Sequence, residues 1–545
     1  MSKNNYIEVE ITGAKYPNIS TASYNDKKVQ FKGGIIGQKV ALKTLRQKKD
    51  SIKAKLQEVL ESSYLETIEG CPQTGVCGGC TYQKLTYEDE LNYKRNLIND
   101  LFSNLQDQTI PHINASPEIY AYRNKMEYTF GDEFKDGPIT LGLHRKNRFY
   151  EIVNTIGCNI INPDFEMIRQ FTMQFFYNRG FKSYHKIKNE GALKFFIIRY
   201  SFATKEIMIN LVTKEDKTIS EELLAEFVEE AQKLKLEGEI VSAFHTISNS
   251  TADAVVPEQI RHIYGQDHIT EKINGLQFNI SPFSFFQPNP MGAQKLYNKA
   301  LEFAGDIEDK LVYDLYCGTG TISQIFAKKA RKVIGVELIE EAVEKAKENA
   351  ALNNIQNCEF IANDVLLEIE NLTQTPDILV LDPPREGIHP KAIGKILDLE
   401  TRTVVYISCN PKTMARDLEE FIDRGYKIVQ IEVFDQFPRT AHVEAVVLLS
   451  QQNPNDKIEV DLDLDELDAT SAEMKATYAE IKDYVLKEHG LKVTNLYISQ
   501  VKRKCGLEIG ENYNLAKSED WKQPNCPEEK EKAIKDALKH FGMVG

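Results

Sequence analysis

One cysteine and one glutamate in this sequence have settings that suit covalent catalysis. Cys409 lies in VVYISCNPKTMARDL, after an apolar strand pattern and before a helix pattern. A thiol near a helix N-terminus has a lowered pKa and is more nucleophilic, so we predict that Cys409 is a nucleophile. Glu444, in FPRTAHVEAVVLL, enters another buried strand pattern and could accept a proton. The alternatives are a buried structural thiol and a surface carboxylate.

Four further cysteines have the spacing of a metal site. Cys71, Cys77 and Cys80 lie in CPQTGVCGGC, and Cys158 lies far along the chain in NTIGCNI. Three closely spaced thiolates and a distant fourth can form a closed site for zinc or for an iron–sulfur cluster. The spacing does not distinguish these metals, and uncoordinated thiols are a third interpretation. Nine cysteines without a secretion signal favour a reducing compartment, so we expect a cytoplasmic protein.

The segment LVYDLYCGTGTIS, residues 311–323, is typical of a cofactor-binding turn. An apolar strand pattern is followed by Gly318 and Gly320 and then by a helix pattern. Glycines at the carboxyl end of a first strand let the backbone approach a ligand closely. A second strand pattern ends at Glu337, whose carboxylate could accept hydrogen bonds from both ribose hydroxyls.

Two later strand patterns also end in residues that could bind a cofactor. Asn363 and Asp364 follow the third strand, where an adenine would lie, and Asp382 ends the fourth strand in DILVLDPPR. A dehydrogenase is the main rival, but Ser323 stands where its third glycine would be. The order of the signals resembles an S-adenosylmethionine-dependent methyltransferase of the doubly wound class. An α/β domain that binds no cofactor is the remaining alternative.

The residues after Asp382 indicate which atom is methylated. Many enzymes that methylate an exocyclic amine carry an aromatic residue after Asp-Pro-Pro, whereas this sequence has Arg385. Pyrimidine carbon 5 is a poor nucleophile until a thiolate adds to carbon 6. After methyl transfer, a base must remove the carbon-5 proton before the thiol can leave. Cys409 and Glu444 suit these two roles.

With these motifs, the sequence resembles the RNA uracil-5-methyltransferases. The matching segments lie within residues 281–444 and are SPFSFFQPN, DLYCGTGTIS, GVE, ND, LDPPREG, SCNP and HVE. The resemblance implies that Gln287, Tyr316, Glu337 and Asp382 contact the cofactor or lie beside it. It also implies that Asp382 touches a uracil flipped out of its stack. For the four cysteines it favours a four-iron four-sulfur cluster with a structural or RNA-positioning role.

The amino-terminal segment differs in charge from the rest of the chain. Residues 1–60 carry 12 Lys/Arg against 5 Asp/Glu, a net charge of +7, whereas the whole chain carries −14. Short alternating runs separated by glycines predict a small β-barrel, and small basic barrels commonly bind RNA. A solvated rim of lysines is the alternative. The segment resembles a TRAM domain, although GAKYPNIS stands where a second glycine pair is expected in the first loop.

We predict a multidomain α/β chain. Its segments are a TRAM- or OB-like β-barrel at 1–62, an α+β central domain with the cysteine cluster at 63–272, a Rossmann-like methyltransferase domain at 273–450, an acidic linker at 451–471 and a small helical extension at 472–545. In the extension, Lys502, Arg503 and Lys504 could form the basic face of a helix-turn-helix, or only a solvated face. We find no apolar run long enough to span a membrane.

Together these features predict S-adenosylmethionine-dependent methylation of a specific uridine in 23S ribosomal RNA. The product would be 5-methyluridine, formed through a covalent bond between Cys409 and carbon 6. The barrel and the cysteine cluster favour ribosomal RNA, because the tRNA-directed branch of the family typically lacks both. The alternatives are the same reaction on a tRNA uridine and a non-catalytic RNA-binding or ribosome-assembly protein. We expect a monomer without an obligate protein partner or a membrane partner.

Overall fold

The computed structural model describes residues 6–105, 110, 112–134, 137–186, 188–372, 374–451, 478–505 and 526–541. The chain divides into two compact units, Met1–Ile458 and Glu459–Gly545. Apart from residue 451, the predicted acidic linker lies outside the described residues. None of the helices in the described ranges has the length and apolar character that a membrane crossing requires. The domain boundaries within the first unit stay predictions.

The first unit begins with a six-stranded sheet. Its strands are β1 (Tyr6–Glu10), β2 (Gly13–Lys15), β3 (Ile19–Tyr24), β4 (Lys27–Lys32), β5 (Lys39–Gln47) and β6 (Ser51–Glu61). Their order across the sheet is β1-β5-β6-β4-β3-β2. Side chains of β4 and β6 alternate between buried and more exposed positions, which is the period-two pattern that predicted strands here. The buried side forms its own apolar core, which includes Val29, Leu42 and Leu56.

A second sheet of seven strands follows, with three helices. The helices are α1 (Tyr87–Phe102), α2 (Pro163–Asn178) and α3 (Glu221–Gln232), and the strands are β7 (Lys125–Asp132), β8 (Ile139–Arg145), β9 (Arg148–Val153), β10 (Leu193–Tyr200), β11 (Glu206–Thr213), β12 (Glu239–Ile247) and β13 (Gln259–Gly265). The order is β13-β12-β11-β10-β7-β8-β9, and only β11 and β12 are parallel. Helices α2 and α3 pack on the sheet through aromatic contacts, namely Phe176 with Phe130 of β7 and Phe227 with Phe196 of β10.

The third part is an α/β layer. It contains the hairpin β14 (Ile269–Ile273) and β15 (Leu276–Ile280), the strands β16 (Leu311–Leu315), β17 (Lys332–Glu337), β18 (Cys358–Ala362), β19 (Ile378–Leu381), β20 (Thr403–Ser408), β21 (Tyr426–Phe434) and β22 (Glu444–Gln451), and the helices α4 (Pro290–Phe303), α5 (Thr321–Ala327), α6 (Glu340–Leu352), α7 (Val365–Asn371), α8 (Pro390–Asp398) and α9 (Pro411–Asp423). The alternation of strands and helices is the one predicted from the sequence.

The order of the strands in this layer determines where a ligand can bind. The seven-stranded sheet runs β18-β17-β16-β19-β20-β22-β21. The strands β16 to β20 are parallel, and β22 is antiparallel to both of its neighbours. The order reverses between β16 and β19, so the connections at their carboxyl ends leave in opposite directions and open a crevice. Every residue of β16 and β19 is buried, as expected for central parallel strands.

The second unit contains three described helices, α10 (Tyr478–His489), α11 (Asn495–Lys504) and α12 (Glu528–His540). They share a small core that includes Ile498, Val501 and Ile534. The basic run on α11 is not a continuous exposed face, because Lys502 is only 7% exposed and Lys504 pairs with Glu531 at 2.5 Å. Neither predicted alternative, a basic helix-turn-helix face or a solvated face, therefore describes Lys502, which lies on a helix that packs against α12.

Candidate active site

A cavity of about 1200 Å³ opens at the carboxyl ends of the parallel strands. It lies at the reversal of strand order, where doubly wound sheets bind their ligands. Ligand pockets usually enclose about 300–1000 Å³, so this cavity has room for a cofactor and part of a second substrate. Eight residues predicted from the sequence line it, namely Gln287, Tyr316, Gly318, Glu337, Asp364, Asp382, Cys409 and Glu444.

The turn after β16 forms one wall of this cavity. Tyr316 and Gly318 have positive φ angles of 67° and 54°, and both residues line the cavity. Gly320 also has a positive φ, but a side chain there would meet Phe360 at 2.7 Å. Gly320 is outside the cavity wall and precedes α5, so its place in the fold is a close packing contact rather than a ligand contact.

Two carboxylates follow the next strands along this wall. Glu337 accepts hydrogen bonds from the backbone N–H groups of Gly318 at 3.1 Å and of Ile339 at 3.0 Å. These bonds hold the carboxylate at the mouth of the turn, where it could still accept hydroxyl donors from a ligand. Asp364 caps α7 by accepting from the Leu366 N–H at 2.8 Å, and it also lines the cavity.

Two aspartates with raised pKa values lie at the carboxyl-end region of the sheet, where Asp382 lines the cavity and is partly exposed and Asp314 of β16 is 1% exposed. Burial raises the pKa of Asp382 to about 7, and the charge of Asp314 raises it as well. Burial also raises the pKa of Asp314 to about 7, although Ser323 Oγ donates to Asp314 Oδ2 at 2.5 Å. Because a carboxyl group with a pKa near 7 titrates close to neutral pH, we expect the charge of Asp382 at the cavity to depend on pH.

The two predicted catalytic residues lie next to each other across a strand pair. Ser408 of β20 is opposite Ala445 of β22 in the antiparallel register. Cys409 and Glu444 are the next residues beyond this pair, and both line the cavity. Burial raises the pKa of Glu444 well above its ordinary value, with a further contribution from Asp382. The structure therefore brings a thiol and a protonatable carboxylate together at one place.

The expected lowering of the Cys409 pKa is wrong for the protein alone. Burial raises the pKa of this thiol to about 11, and the nearby carboxylates of Glu444 and Asp382 raise it further. Burial and these carboxylates oppose the lowering expected from the N-terminus of α9, which begins two residues after the thiol. A reactive thiolate at this position requires compensating positive charge.

Arg385 supplies part of that charge, and sequence reasoning did not assign it to the site. Its guanidinium lowers the pKa of Cys409 through its charge and a hydrogen bond, and it also lowers the pKa of Glu444. The backbone oxygen of Arg385 accepts from Asn410 Nδ2 at 2.8 Å, which ties the two strand ends together. In the sequence, the only indication of this role was a positively charged residue directly after the Asp-Pro-Pro motif.

Other cavity residues come from parts of the chain that carried no local signal. Arg123, Phe437, Thr440 and His442 line the cavity beside the two catalytic candidates. Tyr16, in the turn between β2 and β3, is 7% exposed and belongs to a core shared with the α/β layer. The pKa of Tyr16 is raised mainly by burial, and also by Glu444 and Cys409.

Two parts of the predicted cysteine cluster that are far apart in the sequence lie close to each other. Cys71 Sγ lies 3.8 Å from the Gly157 oxygen, directly beside Cys158 in sequence. Burial raises the pKa of Cys158 to about 12, and each of the other three thiols raises it as well. Backbone N–H groups point at two sulfur atoms, since Gly79 donates to Cys77 and Gln73 donates to Cys71, each at 3.4 Å. In the described ranges, no group of three or more His, Cys, Asp or Glu side chains is arranged to hold a metal ion.

A comparison with known proteins shows which family this chain is similar to. Residues 86–452 match the model of the tRNA (Uracil-5-)-methyltransferase family. An uncharacterised RNA methyltransferase of Clostridium acetobutylicum is 44% identical over 454 residues, which cover 83% of this chain and 99% of the relative. One of Caldanaerobacter subterraneus is 41% identical over 453 residues, covering 83% and 100%.

A solved structure shows the same fold. The tRNA (uracil-54, C5)-methyltransferase of Pyrococcus abyssi, in complex with S-adenosyl-L-homocysteine, superposes with a TM-score of 0.64. The two sequences are 25% identical, and the match covers 81% of this chain and 100% of that structure. The α/β layer described above is therefore a methyltransferase fold.

Proposed function

Because the chain belongs to the RNA uracil-5-methyltransferase family, we propose that it methylates carbon 5 of a specific uridine in 23S ribosomal RNA. Membership of this family makes it an S-adenosylmethionine-dependent RNA methyltransferase. The observation that carries the proposed mechanism is the position of Cys409 and Glu444. They lie side by side at the ends of β20 and β22 and line the cavity that also contains Asp382 and Arg385.

The residues at the strand ends fit S-adenosylmethionine. Tyr316 and Gly318 form the turn that would lie against its amino-acid part, while Glu337 would accept the ribose hydroxyls. Asp364 lies where the adenine would bind, after the third strand of the sheet. When bound, S-adenosylmethionine supplies an electrophilic methyl group on a positively charged sulfonium. Gly320 would act only by shaping the turn.

The first chemical step belongs to Cys409. Its sulfur adds to carbon 6 of the flipped uracil, forming a carbon–sulfur bond and leaving an enolate whose carbon 5 is nucleophilic. Arg385 stabilises the thiolate that this step requires, since it already lowers the pKa of Cys409. Asp382, on the cavity floor, would hydrogen-bond the uracil edge and orient the ring. Gln287 is only 7% exposed and would border the same space.

The last step belongs to Glu444. After carbon 5 has gained the methyl group, Glu444 takes the carbon-5 proton, and the electrons left behind expel the Cys409 thiolate from carbon 6. The base must be ionised to accept the proton, although burial raises its pKa. Arg385 opposes this rise, so one guanidinium serves both the nucleophile and the base.

The titration of the cavity floor predicts how cofactor binding depends on pH. The sulfonium cation prefers ionised carboxylates, so binding should release a proton from Asp382 or Asp314, whose pKa values are about 7. The affinity for S-adenosylmethionine should therefore rise as the pH increases to about 7 and should level off at higher pH. The total rise should be about tenfold for each unit by which binding lowers the pKa of the aspartate. Calorimetry in buffers of different ionisation enthalpy would measure the released proton.

S-adenosylhomocysteine provides the matched control for this experiment. It has the same nucleoside and amino-acid parts but carries no sulfonium charge, so its affinity should change much less between pH 6 and pH 8. Equal pH dependence for the two compounds would show that the sulfonium does not lie beside these aspartates.

For the four cysteines we propose a four-iron four-sulfur cluster, which the family resemblance favours over zinc. Thiolates can hold either metal site, so their number and spacing do not decide between the two. The methyl transfer moves no electrons, so the cluster would order this segment or position RNA. Reduced thiols are also consistent with a cytoplasmic location.

We expect the protein purified without oxygen to contain about four iron atoms per chain. Cys158→Ser should lose the iron, unfold at a lower temperature and bind RNA at least about threefold more weakly, because the segment loses its anchor. Metal analysis, thermal unfolding and filter binding would measure these effects. Cys505→Ser, in the second unit, is the matched control. Stoichiometric zinc, or a variant with unchanged folding and RNA affinity, would contradict the proposal.

Ribosomal RNA is favoured as substrate by two features of the first unit. Its amino-terminal sheet exposes basic side chains, including Lys28, Lys32 and Lys43, and such a surface suits the phosphate backbone. The second feature is the cysteine cluster, which the tRNA-directed branch typically lacks. A tRNA uridine is the second candidate, because the family model and the Pyrococcus structure both carry tRNA in their names.

Mapping 5-methyluridine in 23S ribosomal RNA and in tRNA from cells with and without this protein tests the choice. We expect one or more ribosomal positions to lose the methyl group when the protein is absent. Methylation of purified ribosomal RNA and tRNA by the protein would check the assignment. Loss of 5-methyluridine from tRNA alone would establish the second candidate.

A further inference from the structure

Four charged side chains form a buried cluster between helix α1 and the loop that leads to Glu444. They are Glu90 and Lys94 of α1 and Asp435 and Arg439 of the loop, and none is more than 2% exposed. Lys94 Nζ donates to Glu90 Oε1 and to Asp435 Oδ1, both at 2.7 Å. Two cations and two carboxylates balance, which is the condition under which charges can be buried together.

Arg439 makes the largest number of contacts in this cluster. Its backbone N–H donates to Glu90 Oε1 at 2.7 Å, and Nη1 donates to Glu90 Oε2 at 3.2 Å and to the Leu85 oxygen at 2.9 Å. Nη2 donates to the Tyr120 hydroxyl at 2.9 Å. Its φ of 68° is unusual for a residue with a side chain, so these contacts hold a backbone conformation that would otherwise be unfavourable.

The same residue is joined to the cysteine segment. The backbone N–H groups of Thr81 and Tyr82 donate to the Arg439 oxygen at 2.8 and 3.0 Å. Thr81 directly follows Cys80, so the cysteine segment and the loop share a hydrogen-bonded contact one residue from a predicted cluster ligand. The Tyr122 hydroxyl adds a further bond to the neighbouring Pro438 oxygen at 3.0 Å.

The loop held in this way forms part of the active site. We call residues 435–443 the active-site loop, because Phe437, Thr440 and His442 line the cavity and Glu444 follows directly. The loop lies between β21 and β22 and has no regular secondary structure. Within the α/β layer, Gln436 Nε2 donates to the Asn289 oxygen at 2.8 Å. The buried charge cluster adds contacts to the loop from outside this layer.

We propose that Arg439 is a positioning residue, which holds the active-site loop against α1 and the cysteine segment and so sets the position of Glu444. This inference rests on the proposed function, because the loop matters for proton removal only if Glu444 is the base. The cofactor contacts are on other strand ends, so the placement of the loop should affect the reaction without affecting cofactor affinity.

Arg439→Met tests the proposal. We expect kcat for RNA methylation to fall about 10- to 100-fold, because small displacements of a catalytic group have effects of this size. The affinity for S-adenosylmethionine should stay within about twofold of the original value. Backbone amides of the active-site loop should exchange with deuterium at least about tenfold faster, and a covalent protein–RNA adduct should accumulate because proton removal is slowed.

Three further variants separate positioning from general destabilisation. Arg169→Met is the matched control, since Arg169 is also buried and bonded to a carboxylate, Glu166 at 2.7 Å, but in α2. It should leave kcat and loop exchange unchanged at a temperature where the protein is folded. Arg439→Lys should restore part of the rate. Tyr120→Phe removes one hydroxyl from a residue 43% exposed and should show a smaller effect of the same kind even if Arg439→Met does not fold.

The outcomes distinguish this inference from the proposed function. Deuterium exchange and cofactor affinity need no RNA, so they test the support of the loop even if no RNA is methylated. Unchanged loop exchange and kcat in Tyr120→Phe and in any folded Arg439 variant would overturn the inference. So would a parallel loss of cofactor binding, or the same kinetic defect in Arg169→Met.

Discussion

Replacement of Cys409 by alanine is expected to reduce RNA methylation by at least about 1000-fold, because removal of a nucleophile leaves only binding and orientation. Without the thiolate, carbon 5 of uracil has no enolate from which to attack a methyl group. Arg385, Asp382 and Glu444 remain in place, so the affinity for S-adenosylmethionine should change little. Transfer of a labelled methyl group to ribosomal RNA measures the rate, and calorimetry measures the affinity.

Cys358→Ala is the matched control for this variant. Cys358 is a partly buried thiol at the start of β18 in the same layer, and it does not line the cavity. Its replacement should leave the rate within about twofold of the original. Undiminished methylation by the Cys409 variant would rule out the covalent mechanism while leaving the family assignment unaffected.

Replacement of Glu444 by glutamine should trap the protein on its RNA. Addition of Cys409 and methyl transfer need no base, whereas removal of the carbon-5 proton does, so the reaction should stop at the methylated covalent adduct. Turnover should fall by at least about 1000-fold. Denaturing electrophoresis should show a band of protein joined to RNA, carrying label when the methyl group of S-adenosylmethionine is labelled.

Two control variants test whether the adduct results from the loss of the Glu444 carboxylate and requires Cys409. Glu271→Gln removes a carboxylate that is also buried, at 1% exposure, but accepts hydrogen bonds from Phe202 and Ala203 away from the cavity. It should give no adduct. The double variant with Cys409→Ala should abolish the band, because the bond to carbon 6 comes from that sulfur. A Glu444 variant that turns over normally would show that another group removes the proton.

The Cys409 and Glu444 variants both test the same feature of the fold, which is the pairing of β20 with β22. Cys409 and Glu444 lie about 35 residues apart in the chain but are neighbours because β22 inserts antiparallel between β20 and β21. This insertion places the proposed base beside the proposed nucleophile, at the strand ends of a sheet whose other strands are parallel. Arg385, from the end of β19, completes the group by opposing the repulsion between thiolate and carboxylate.

The local sequence determined the elements that carry the cofactor site. Apolar runs ending in Gly318, Glu337 and Asp382 predicted parallel strands with ligand-binding ends, and the structure places all three residues on one cavity. Such patterns can be read locally, because a buried strand needs continuous apolar residues and a tight turn needs glycine. The identities of the nucleophile and of the four cluster cysteines came from motifs of the same kind and stay predictions of role.

Only the tertiary structure decided the environment of these residues. The expectation of a lowered Cys409 pKa failed because burial and two carboxylates from other strands raise that pKa. Lys502 belongs to a basic run in sequence but is only 7% exposed in the folded chain. The contact of Arg439 with Glu90 joins residues about 350 positions apart, and no local sequence pattern indicates it. Charge, burial and hydrogen bonding depend on which distant segments meet, and that is settled only when the sheets pack together.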